Sequence, residues 1–136
     1  DFGTSYELSL GQNNKEVAAE DNKERVLNAV PAEYILTTSE ESEASCIYHF
    51  QSSRGEEIEV TVHRISEASI ATVTIDTENA EVQKESLKGQ EISIVCKNGI
   101  YQIFWLDDIS DLMFVVWGNN TPVDILRNVA EKIICA

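Results

Sequence analysis

The sequence predicts an α+β domain: a curved antiparallel sheet of about six to seven strands, with a C-terminal helix packed on one face, the concave one. Three observations carry this expectation. From Tyr34 onward, apolar and polar residues alternate with a period of two in short runs separated by polar turns. Asn98-Gly99 stands between two of these runs, and that pair suits the positive φ angles of a two-residue type I′ hairpin. After Gly118 the period becomes helical and stays so almost to the last residue.

Residues 1–30 are the least periodic part and read as an irregular or helical segment, in which Glu16 to Val30 places Val17, Ala18, Leu27 and Val30 at apolar helix positions. Pro31 ends any such helix at Val30, because the residue before proline is pushed out of the α region. Residues 31–136 hold the sheet and the last helix, and 1–136 reads as a single domain. Tyr34 to Thr38 is a short strand. Ser45 to Gln51 turns Cys46, Tyr48 and Phe50 inward and Ile47 and His49 outward. The Ser52 to Gly55 turn then leads to Glu57 to Ile65, where Ile58, Val60 and Val62 alternate with Glu59, Thr61 and His63. These two runs form a hairpin with one wet face.

Ser69 to Asp76 and the weaker Glu81 to Leu87 are further strands, joined by Thr77 to Ala80 and closed by Lys88-Gly89. With Asn98-Gly99 as the loop, Lys97 pairs with Ile100, Cys96 with Tyr101, Ile94 with Ile103 and Ile92 with Trp105. Ile92, Ile94, Cys96, Tyr101, Ile103 and Trp105 then share a core-facing side, while Ser93, Val95, Lys97, Ile100, Gln102 and Phe104 take the other. Leu112 to Trp117 is apolar on both faces and is expected to end at Gly118. Thr121 as N-cap, Pro122 at the first helical position and Asp124 at the third start the helix. Its apolar stripe is Val123, Leu126, Val129, Ala130 and Ile133, widened by Ile125 and Ile134.

Composition limits function. With 136 residues and 43% hydrophobic content the chain can bury one sizeable core. Ten Lys and Arg against 24 Asp and Glu give a formal charge of -14, which repels nucleic acid and anionic membranes. No apolar run is long enough to span a bilayer, so a membrane would be reached only through an anchor preceding Asp1, a start without an initiator Met. Cys46, Cys96 and Cys135 lack the spacing of a zinc site, and they read as free thiols with a Cys46–Cys96 bridge as the competitor.

No catalytic constellation stands out. Asp107, Asp108 and Asp111 share a turn but lack the alternating ligands of a calcium loop, so no metal is expected. His49 and His63 lie on the wet faces of joined strands and could approach one another. Cys46 and His49 fall on opposite faces. Adjacent glutamates such as Glu40-Glu41 and Glu56-Glu57 have no apolar pocket to raise a pKa, and they read as surface charge. Asn119-Asn120-Thr121 fits a glycosylation sequon, though capping explains Thr121 better.

Several segments, in order, carry a resemblance: PAEYIL (Pro31 to Leu36), YHF (Tyr48 to Phe50), TIDTENAEV (Thr74 to Val82), FWLDD (Phe104 to Asp108), a strand ending in Gly118, and DILRNVAEKI (Asp124 to Ile133). Together they resemble a domain-of-unknown-function family found at the extracytoplasmic end of membrane-anchored, anti-sigma-factor-like proteins of Gram-positive bacteria. Ala32-Glu33 precedes Tyr34 where that family usually has Glu-Gly. The resemblance implies a curved antiparallel sheet with a packed C-terminal helix and an envelope location, as a membrane-anchored protein or a lipoprotein. It brings no catalytic residue and no cofactor.

The expected function is therefore a non-enzymatic extracytoplasmic sensing or interaction module, whose partner is an unknown protein or a small ligand. Tyr101, Trp105 and Trp117 are its candidate binding residues, since aromatics often serve contact surfaces. The alternative is a carrier that holds a small apolar or lipid-like ligand in a cavity between sheet and helix.

Overall fold

The computed structural model describes residues 22–64, 80–107 and 111–136. The expected strand at Ser69 to Asp76, the turn after it, the first residues of the expected N-terminal helix and Asp108 lie outside these. Residues 22–29 form helix α1. The strands follow as β1 (Tyr34–Glu41), β2 (Ser45–Ser52), β3 (Glu57–Arg64), β4 (Glu81–Leu87), β5 (Gln90–Lys97), β6 (Ile100–Asp107) and β7 (Leu112–Asn119), and α2 (Val123–Cys135) closes the chain.

All seven described strands join one open antiparallel sheet in the order β1-β2-β3-β7-β6-β5-β4. The last strand thus lies in the middle, between two three-stranded meanders. Two-residue turns build the second meander. Asn98 and Gly99 have φ of 55° and 78°, and Lys88 and Gly89 repeat the pattern at 52° and 82°. The β5–β6 register is the expected one, from Lys97 opposite Ile100 through Ile94 opposite Ile103, and it stops at Ser93 opposite Phe104, before the expected Ile92–Trp105 pair.

Alternation sends one set of side chains to a common core. Tyr48, Ile58, Val60, Ile103, Phe114 and Val116 are all fully buried, and α2 lays Leu126, Val129, Ala130 and Ile133 over them at 0% exposure. Burying four such residues is what secures the helix, since a helix of this length is marginal in water alone. On the other side of the sheet Val95 and Met113 are also buried, while Phe104, Val115 and Trp117 are half-buried.

Three local expectations need correction. Gly118 does not end β7, which runs on to Asn119. A Cβ on Gly118 would come within 2.7 and 2.8 Å of Leu126 Cδ1 and Cδ2, so the missing side chain lets α2 approach the sheet. Thr121 is not the N-cap. Its hydroxyl donates to the carbonyls of Glu57 at 2.9 Å and Asn119 at 3.2 Å, and the cap is Pro122, whose carbonyl accepts from Ile125 N and Leu126 N. Finally, β1 extends past Thr38 to Glu41, with a bulge between Leu36 and Thr38 where Thr37 Oγ1 donates to the His49 carbonyl at 3.1 Å.

Candidate functional site

The three aromatic residues expected to form a binding surface are not brought together. Trp105 is in the core, 4% exposed, and stacks on Phe114 with ring centres 5.2 Å apart at 13°. The Arg25 guanidinium lies 5.3 Å from the centre of the Phe114 ring and donates through Nη2 to the Ile133 carbonyl at 2.7 Å, which joins α1 to the end of α2. Tyr101 shares the core side of β6 but is half-buried, opposite Cys96 and Gly118. The Cys96 thiol, through hydrogen bonding and charge, raises the Tyr101 phenol above its ordinary pKa. Trp117 points to the other side of the sheet, because β7 places it between the buried Val116 and Gly118.

The second side carries Trp117 within a patch of mixed apolar and polar residues. Three neighbouring strands set its cross-strand rows. Glu59 faces Trp117, which faces Gln102; Thr61 faces Val115, which faces Phe104. Opposite residues of antiparallel strands stand about 5 Å apart, so these six side chains form one continuous patch. At its edge, His49 Nε2 lies 3.1 Å from Glu57 Oε2 and His49 Nδ1 lies 3.7 Å from Glu59 Oε1. Asn119 Nδ2 donates to Glu57 Oε1 at 3.4 Å.

His49 and His63 do not meet, since His49 is opposite Glu59 and His63 opposite Ser45. That register separates them by four residues, roughly 13 Å along the strands. Burial lowers the His63 pKa from 6.5. Cys46 is buried on the core side, facing away from His49, as alternation requires. All three cysteines are free, and β3, β7 and β6 separate Cys46 on β2 from Cys96 on β5, so the Cys46–Cys96 bridge does not form.

A polar cluster that no sequence pattern singled out lies at the β2–β3 turn. Ser52, 6% exposed, accepts hydrogen bonds on Oγ from Arg54 N and Glu56 N and donates to Glu56 Oε1. Arg54 Nε adds a 2.7 Å bond to Glu56 Oε1, and Tyr34 OH donates to Glu56 Oε2 at 3.2 Å. Arg54 holds the Glu56 carboxyl below its usual pKa, and burial raises that of Tyr34. The Ser52 hydroxyl is fully used in locking the turn, with no described imidazole beside it to act as base. Its local signal is SSRGEE, a turn with an Arg two residues before a Glu.

Elsewhere, Tyr48 OH is buried without a hydrogen bond although the Cys46 thiol is near, and burial raises its pKa. Two open grooves flank the meeting of α1 and α2, of about 530 Å³ beside Arg25 and Asn28 and about 410 Å³ beside Pro31 and Ile125, with Lys132 and Cys135 lining both. Among the described residues no cluster of His, Cys, Asp and Glu has the arrangement of a metal site, and no helix is long and apolar enough to cross a membrane.

These features define a sheet-and-helix domain of the α+β class, closed by α2 on one side of the sheet and bearing a mixed apolar and acidic patch on the other. The model of a family described as a domain of unknown function, DUF4367, matches residues 24–133, from α1 nearly to the end of α2. The chain belongs to that family. No curated protein and no solved structure matches it.

Proposed function

We propose that this domain is a non-enzymatic, extracytoplasmic interaction module, tethered to the membrane by sequence outside the domain, and that it meets its partner through the second side of the sheet. The carrying observation is the difference between the two sides. One is sealed by the fully buried stripe of α2, whereas the other has Trp117, Val115 and Phe104 half-buried with no described helix over them. An apolar patch rimmed by polar groups is the usual form of a contact surface. The polar groups best suited to chemistry have structural work instead: Ser52 locks a turn, and His49 is held between Glu57 and Glu59. The envelope location rests on the ordered segments from PAEYIL to DILRNVAEKI and the family they resemble.

The carrier alternative needs a cavity between sheet and helix. Leu126 fills the space over Gly118, and Val129, Ala130 and Ile133 are fully buried along the same helix, which weighs against it.

Site-specific photo-crosslinking tests the interaction reading. A benzophenone side chain at position 117, in the full-length protein within its own cells, is expected to give a discrete adduct, and the same group at Leu27 on α1 is expected to give none. Absence of an adduct at 117, or equal adducts at both positions, overturns it. Surface proteolysis of intact cells tests the location: cleavage of the domain from outside is the expected outcome, and full protection counts against an extracytoplasmic position.

A further inference from the structure

We infer that the partner element docking on this side of the sheet is a basic amphipathic helix, with apolar residues seated on Trp117, Val115 and Phe104 and a Lys or Arg placed against Glu57 and Glu59. The inference rests on the interaction reading above and adds the chemistry of the occupant. Three features of the surface favour it.

The first is charge. The outward positions of β1, β2 and β3 include Glu40, Glu57 and Glu59 and contain no Lys or Arg, on a chain whose net charge is -14. His49 and His63 are the groups on these positions able to carry positive charge. His49 is already placed between two carboxylates, and burial holds His63 toward its neutral form. A cationic partner is thus drawn to this edge, whereas an anionic lipid surface or a nucleic acid is repelled.

The second is the pairing of charge with an aromatic face. Glu59 lies directly opposite Trp117. A guanidinium or ammonium group set there gains both the carboxylate and the indole ring, and Trp is the best ring for such a contact.

The third is width. The patch covers β3, β7 and β6, two strand spacings of about 4.8 Å each, so it is close to the roughly 10 Å diameter of a helix. Apolar ridge and basic flank then meet apolar band and acidic edge in register, an amphipathic helix laid along a sheet face.

The test uses two synthetic helical peptides of equal length, one of Leu and Lys and one of Leu and Glu, titrated into the Trp105→Phe protein so that Trp117 alone reports. The Leu-Lys peptide is expected to shift the emission to the blue saturably, and the Leu-Glu peptide to leave it unchanged. Glu57→Gln with Glu59→Gln is expected to weaken Leu-Lys binding at least about fivefold, and the charge-matched pair Glu24→Gln with Glu81→Gln, which lies off this surface, less than about twofold. Equal loss in both pairs would mean general attraction to an acidic protein and overturns the inference. So does an equal response to both peptides, or a Trp117 already shielded from acrylamide in the free protein. A crosslink at position 117 together with charge-independent peptide binding would leave the interaction reading in place and remove only the basic helix.

Discussion

Gly118 shows how one hydrogen atom in place of a side chain decides how a helix seats on a sheet. Its surroundings are unforgiving: Leu126 Cδ1 and Cδ2 occupy the space a methyl group would need. Gly118→Ala is expected to cost about 1–3 kcal/mol, read as a lower urea midpoint at unchanged m-value. Combined with Leu126→Ala the two losses should sum to less than their separate costs, and strict additivity would show that the contact is not what matters. His63 gives a second prediction at this scale. Its folded pKa lies below 6.5 because burial penalises the charged form, so its contribution is complete above that pH and is lost as pH falls through the folded value. Unfolding at pH 7 and at pH 5.5 should show the wild type losing stability on acidification and His63→Gln losing less. An equal loss in both would clear His63. Neither position was readable in advance. A glycine after an apolar run signals a strand end, and the leucine that explains Gly118 comes a turn into the next element; the burial of His63 depends on the neighbours that β2 and β7 set beside it, Ser45 and Met113.

Among the elements, those set by local chemistry were legible and those set by distant pairing were not. The β5–β6 hairpin follows from Asn98-Gly99, and β2, β3 and α2 follow from periods of two and 3.6. The polar tail of β1, Ser39-Glu40-Glu41, has no apolar signal; it is a strand because β2 pairs with it up to Cys46 opposite Glu41. The candidate site was half legible, since alternation puts Trp117 and Trp105 on different sides once β7 is placed beside β6, yet nothing local states that placement. Edge strand β4 is tied to α2 by Arg127, which donates to Glu85 through Nη2 at 2.8 Å and Nε at 3.1 Å. Both side chains are roughly a quarter to a third exposed, so solvent screening limits the pair to about 0.5–1 kcal/mol. Arg127→Met should lower the melting temperature by a few degrees in about 50 mM salt and by less in about 1 M salt, with faster amide exchange in β4. A salt-independent loss would indicate packing of the arginine stem instead.

For the whole molecule, strand order has a chemical readout in the thiols. About four strand spacings, roughly 19 Å, separate Cys46 from Cys96, far beyond the reach of a disulfide. Intact mass should show three free thiols, with exposed Cys135 modified first and buried Cys46 last, on unfolding; a bridge mapped to Cys46 and Cys96 within one chain would contradict the strand order. That same order has a consequence for assembly. With β7 set between β3 and β6, the two meanders of described strands are hydrogen-bonded into one sheet through that strand alone. While residues 112–119 are still within the ribosome, the described strands of the two halves lack the neighbour they share, and the inner edges of β3 and β6 remain open templates for other strands. The domain is completed like an arch, by the piece set at the middle after both flanks exist, and a chain halted before Leu112 carries two unfinished halves with their sticky edges facing out.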